Sequence, residues 1–142
     1  MIAMAREIVE TTWIENMAFE AEVNGHKLVL DAEEAVGGKN RGPRPKPLML
    51  VALAGCTAMD VISILKKMRV EVEKFNVRVE GELTEDYPKH FYRIHTIYGF
   101  KGRDLPRDKI KKAIELSEER YCGVTAVYKK AVRMSSEIQI SE

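Results

Sequence analysis

The chain has 142 residues, 45% hydrophobic and 32% charged, with a formal net charge of +1. This composition excludes a disordered or fibrous chain, and the length suits one α+β or similar domain, residues 1–142, able to bury its own core. The near-neutral balance gives no electrostatic reason to expect nucleic acid or an anionic membrane as a partner.

The N-terminal stretch MIAMAREIVETTW has no continuous apolar run of the kind found in secretory signals, so a cytoplasmic location is expected. A weak strand is expected from about Glu7 to Trp13. Met17, Phe19, Ala21 and Val23 then alternate with Ala18, Glu20 and Glu22, Asn24-Gly25 supplies a two-residue hairpin turn, and the segment from His26 to Asp31 returns. From Glu33 to Pro47 the pattern stops in GGKNRGPRPKP, a loop dense in glycine, proline and cations.

A helix is predicted from about Pro47 to Met68. It is apolar nearly all round, so it should be covered on several sides, and a second chain is the natural cover. Its length and composition approach those of a membrane span, but Asp60 in its interior argues against lipid exposure, and no membrane partner is expected. Phe75, Val77 and Val79 mark the next strand, Glu85-Asp86-Tyr87-Pro88 turns the chain, and Tyr92, Ile94, Thr96, Tyr98 and Phe100 share one face of a partner strand. A second helix begins near Pro106 with Ile110, Ala113, Ile114 and Ser117 at helical spacing. A short helix is expected from Cys122 to Lys130, and Val132 to Ile140 closes the chain as a strand. Three strands, a long helix, two strands, two helices and a final strand make an α+β fold with antiparallel sheet.

Chemistry centres on the two cysteines, too few for a disulfide scaffold. In the cytosol such a pair is more often catalytic, redox-sensing or simply buried. Cys56 lies about two and a half turns into the long helix, where the helix dipole acts weakly, so activating its thiol needs a nearby cation. The loop upstream offers Lys39, Arg41, Arg44 and Lys46, and Asp60 lies one turn further along the same face. Cys122 stands at the entrance of the short helix, where free amides favour thiolate character. Taken singly, each cysteine reads better as a small buried residue. His26, His90 and His95 have no metal-ligand spacing among themselves or with the cysteines, and no metal or cofactor is expected. Gly37-Gly38 and Gly42 form no phosphate-loop fingerprint.

The run GPRPKPLMLVALAGCTAMDVISILKKMR, followed some way on by YCGVTAVYKKAV, resembles the OsmC/Ohr family, and its YhfA-like branch most closely. The residues that carry the resemblance are Leu50, Ala52, Leu53, Gly55, Cys56, Thr57, Met59, Asp60 and Val61, then Tyr121, Cys122, Val124 and Ala126. It implies an OsmC-like fold with antiparallel sheets around two main helices, in an intertwined homodimer with a cysteine pair in each interfacial site. It also implies thiol-dependent reduction of hydroperoxides, organic ones especially, with Cys56 attacking, Cys122 resolving and an external dithiol as reductant.

Peroxidases of the family carry a glutamate nine or ten positions before the first cysteine, where it orients an arginine beside the thiol. Lys46 and Pro47 stand there in this chain. Arg41 and Arg44 are candidates for the arginine, and Asp60 for another activator. The competing expectation is a non-catalytic or redox-sensing dimer that binds a small apolar ligand at its interface.

Overall fold

A computed structural model of the protein describes residues 5–142. Two compact units make up the chain, Met1–Met49 and Leu50–Glu142.

The first unit holds a three-stranded antiparallel sheet of β1 (Glu10–Glu15), β2 (Ala18–Val23) and β3 (His26–Leu30), paired in that order. Asn24 and Gly25 have φ of 50° and 79°, the two left-handed residues that a tight hairpin turn requires. The first strand starts at Glu10 rather than Glu7 and continues past Trp13 through a bulge to Glu15. After β3 the chain is held by Asp31, a buried side chain whose carboxylate accepts the N–H groups of Ala32, Lys39 and Arg41 at 2.7, 3.1 and 3.1 Å. Burial pushes the Asp31 carboxyl up, but these backbone donors outweigh it and hold the group below the usual carboxylate range. At Gly38 and Gly42 a Cβ would collide with the carbonyls of Ala32 and Val29, so the glycine-rich loop lies tight against its own strand.

The long helix α1 (Leu48–Lys67) carries Cys56 and Asp60, and the basic pair Lys66 and Lys67 occupies its last turn. It ends at Arg69, whose φ of 60° reverses the chain. Next come β4 (Lys74–Leu83), β5 (Phe91–Lys101), α2 (Arg107–Leu116), a π-helical turn (Ser117–Tyr121), α3 (Gly123–Tyr128) and β6 (Arg133–Ser141). The second sheet has the order β4-β5-β6.

The α+β class expected from the sequence is present, with one refinement. Strand β6 runs parallel to β5, from Arg93 opposite Arg133 to Lys101 opposite Ser141. A parallel return needs a long crossover, and α2, the π-helical turn and α3 supply it.

The core of this unit has two parts. Val61 and Leu65 from α1 meet Tyr98 and Phe100 from β5 and Ile110, Ala113 and Ile114 from α2. Leu53 meets Phe91, Ile94 and Cys122 in the other. The helix thus buries one stripe at i, i+4 spacing, Leu53, Thr57, Val61 and Leu65. Val51 and Met59 on its other faces remain 62% and 73% exposed in the single chain.

Leu65 is fully buried. Leu65→Ala is expected to cost roughly 2–5 kcal/mol through lost contact and a residual cavity. Equilibrium denaturant unfolding checks this; a loss below ~1 kcal/mol would mean that the site collapses around the deletion.

Candidate active site: a buried thiol pair beside a carboxylate

The structure brings together three of the five side chains singled out in the sequence. The sulfurs of Cys56 and Cys122 and a carboxylate oxygen of Asp60 all lie within 4.8 Å of one another. Cys56 and Asp60 are one helical turn apart, so they project from the same face of α1. Cys122 reaches them from the residue before α3. It is 3% exposed, whereas Cys56 is partly accessible. Both are free thiols.

The π-helical turn sets the position of Cys122. The N–H of Cys122 donates to the carbonyl of Ser117 at 2.8 Å, the i→i+5 bond that defines such a turn. The chain then extends at Cys122 (φ −76°, ψ 101°) and enters α3. Two backbone N–H groups there point at sulfur. Thr125 N–H donates to Cys122 Sγ at 3.4 Å, and Val124 N–H donates to Cys56.

Behind the thiols runs a buried chain of hydroxyls. Thr57 Oγ1 bonds to Ser117 Oγ at 2.7 Å and to the Tyr98 hydroxyl at 2.9 Å. Ser117 Oγ donates to Asp60 Oδ2 at 3.0 Å, and Tyr98 OH donates to Glu118 Oε2 at 2.9 Å. The Tyr98 hydroxyl is pushed well above its usual range by burial, with the Glu118 charge adding to the effect. It therefore acts as a fixed, neutral donor. The sequence places Thr57 among the residues that carry the family resemblance, Ser117 on a helix face and Tyr98 on a strand face, with no sign of their contact. The available signal was a hydroxyl next to the first cysteine and another five residues before the second.

Electrostatics at Cys56 oppose ionisation. Burial raises its thiol above the ordinary value, and the neighbouring Cys122 and the Asp60 charge raise it further, against the Val124 N–H. Among the described residues of this unit, no lysine or arginine forms an ion pair with Asp60. Arg41 and Arg44 belong to the first unit. There Arg41 pairs with Glu15 at 3.1 Å, and Arg44 donates to the Asp31 carbonyl and to the Asn40 side chain. An open groove of ≈ 460 Å³, lined by Asp60, Ser63, Ile64, Lys67, Leu116 and Tyr121, runs along the carboxylate.

His95 lies on the second sheet between Ser135 (2.7 Å) and Glu137 (2.8 Å), and its hydrogen bond holds the Glu137 carboxyl below the usual range.

A pair of neighbouring thiols, positioned by a central helix and a π-helical turn on an α+β frame, defines the class of this protein. Residues 37–137 match the family described as OsmC-like protein. The chain is 33% identical over 129 residues to Protein YhfA of Escherichia coli K12, covering 90% of this chain and 93% of that one. Among solved structures, a hypothetical protein from Aquifex aeolicus VF5 is 28% identical with a TM-score of 0.82, over 98% of this chain and 100% of its own. An organic hydroperoxide resistance protein OsmC from Legionella pneumophila shares the fold at 16% identity and a TM-score of 0.69, over 97% and 99% of the two chains. The chain belongs to the OsmC-like family.

Removing the Asp60 charge should lower the Cys56 pKa. With Cys122→Ser in place, so that Cys56 is the only cysteine, the pH profile of its alkylation by iodoacetamide should move to lower pH in Asp60→Asn. An unchanged profile would mean that Asp60 does not act on the thiol.

Proposed function

We propose that the protein is a cysteine-dependent peroxidase that reduces hydroperoxides, with Cys56 as the attacking and Cys122 as the resolving thiol. The observation that carries this reading is the approach of the two sulfurs to within 4.8 Å, one of them partly accessible and the other buried. The Cys56 thiolate attacks the terminal peroxide oxygen and the O–O bond breaks. The alcohol leaves with a proton, and Cys56 becomes a sulfenic acid. The Cys122 thiol then attacks the Cys56 sulfur, water departs, and a disulfide forms. An external dithiol reduces it to restore both thiols, becoming a disulfide itself. The hydroperoxide-resistance name of the Legionella neighbour agrees with the substrate class.

The activator of Cys56 is a guanidinium, with Arg41 and Arg44 as candidates. The positions where peroxidases of the family hold a supporting glutamate are Lys46 and Pro47 here. Asp60 takes over part of that role by facing the thiols. The working form is a cytoplasmic homodimer. In its support, Trp13, Ile14, Met17 and Phe19 of the first unit and Val51 and Met59 of α1 are large apolar side chains exposed in the single chain.

A second reading, a non-catalytic or redox-sensing dimer that binds a small apolar ligand, draws on a cavity of ≈ 410 Å³ in the first unit. Its walls include Met17, Phe19, Leu30 and Pro45. Ligand binding by that route should survive replacement of both cysteines.

Purified protein should consume organic hydroperoxide with a dithiol reductant, and Cys56→Ser should reduce consumption to the uncatalysed background. Peptide mapping after a stoichiometric dose of peroxide should find a Cys56–Cys122 disulfide absent beforehand. Unchanged turnover in Cys56→Ser would sink the peroxidase reading; the disulfide without turnover would favour a sensor.

A further inference from the structure

The three groups that meet at the thiol pair are also a ligand set. Two cysteine sulfurs and a carboxylate oxygen lie within 4.8 Å of one another. In a tetrahedral zinc site the ligand atoms stand ~3.3–3.8 Å apart, as metal bonds of about 2.0–2.3 Å dictate. Closing the set on an ion therefore takes side-chain adjustment of the order of an ångström.

Sequence spacing gave no sign of this set. Asp60 is one turn from Cys56, but Cys122 comes from a distant segment through the π-helical turn. Among the described residues of this unit, no lysine or arginine forms an ion pair with Asp60, and Lys67 is the one cation lining its groove.

The outer contacts suit metal ligation too. Ser117 donates to Asp60 Oδ2, which orients the carboxylate and leaves its other oxygen available. The N–H groups of Val124 and Thr125 donate to the two sulfurs, a contact that stabilises metal-bound thiolate. Asp60 also forms a wall of the ≈ 460 Å³ groove, with Lys67, so its carboxylate is open to a hydrated ion. Thiolate-rich sets select zinc-like or other soft ions over magnesium or calcium.

We propose that Cys56, Cys122 and Asp60 bind a thiophilic divalent cation, with Zn²⁺ as the representative ion, and that the bound ion holds the dithiol in a form that does not react with peroxide. Binding displaces both thiol protons to solvent, and water completes the coordination. The inhibitory half rests on the peroxidase reading; the binding half stands without it.

Cobalt tests the binding directly, because Co²⁺ bound to thiolate gives a charge-transfer band whose intensity counts the sulfurs. Reduced protein titrated with Co²⁺ without oxygen should develop a two-thiolate band at one ion per chain, bleached by Zn²⁺. Cys56→Ser and Cys122→Ser should each halve the band. Asp60→Asn should keep it but bind at least ~10-fold more weakly. Circular dichroism shows whether each variant is folded, and Asp60→Asn decides the case if a cysteine variant is not. No band in the wild type, or a band of full intensity in folded Cys56→Ser, overturns the site, as does unchanged affinity in Asp60→Asn.

Peroxide-driven disulfide formation is then followed with a chelator present and again with saturating Zn²⁺. The rate should fall at least ~10-fold with zinc. An equal rate overturns the inhibitory half. If no disulfide forms even with the chelator, the peroxidase reading and with it the inhibitory half fall, and the cobalt result still decides the metal site.

Discussion

The 2.7 Å hydrogen bond between Thr57 and Ser117 joins the two segments that carry the thiols. Both residues are buried, at 1% and 0% exposure. Thr57 also bonds Tyr98 and Ser117 also bonds Asp60, so the pair belongs to one buried hydroxyl network that restricts how α1 can rotate against the end of α2. Cys56 immediately precedes Thr57, and Cys122 follows Ser117 by one π-helical turn. Fixing that hydroxyl pair therefore fixes both sulfurs. The wide turn is part of the same constraint. Each residue of an ordinary helix advances the side-chain direction by about 100°, so removing one residue from the turn would swing Cys122 away from Cys56.

Much of this arrangement was legible in the residues, and the rest was hidden for definite reasons. The hairpin at Asn24-Gly25, the long apolar helix and the alternation in β5 depend on neighbours in sequence, and local pattern reads them well. The direction of β6 does not. Alternation of Met134, Ser136 and Ile138 is the same for a parallel and an antiparallel strand, and only the intervening crossover decides. The segment Ser117–Tyr121 reads as ordinary helix because its i→i+5 bond depends on tertiary packing. The contacts among Thr57, Ser117 and Tyr98 were hidden because their partners are remote. The Cys56–Asp60 spacing was visible, whereas the convergence of Cys122 on both required the fold. The arginine that would activate Cys56 was not legible, since Arg41 and Arg44 lie in a loop whose sequence has no periodicity.

The composition of α1 makes the single chain incomplete in a specific way. One stripe, Leu53 to Leu65, is used by the core of its own unit. A helix that needed only that stripe could carry polar residues at Val51 and Met59, as amphipathic helices do. It carries large apolar ones, which are exposed in the single chain. The proposed dimer would cover them and would also restrict access to the partly exposed Cys56. Burial of the helix and protection of the thiol would then be two effects of one association.

Charge connects the peroxidase and metal readings. Burial, Cys122 and Asp60 raise the Cys56 thiol above its ordinary value against the Val124 N–H, and a positive charge close by would add to that opposing effect. A guanidinium and a metal ion both supply one, with opposite consequences. The guanidinium stabilises the thiolate through hydrogen bonds and leaves a sulfur lone pair free to attack oxygen. A metal ion uses that lone pair for coordination and so stabilises the thiolate at the expense of its nucleophilicity. Which cation reaches the pair first depends on how firmly an arginine is held there. With Lys46 and Pro47 where peroxidases of the family place a supporting glutamate, that task would fall to Asp60 in the proposed mechanism. Asp60 is also a ligand of the proposed metal site, so guanidinium and ion would compete for the same carboxylate. One side chain would then set the balance between a reactive and a masked dithiol.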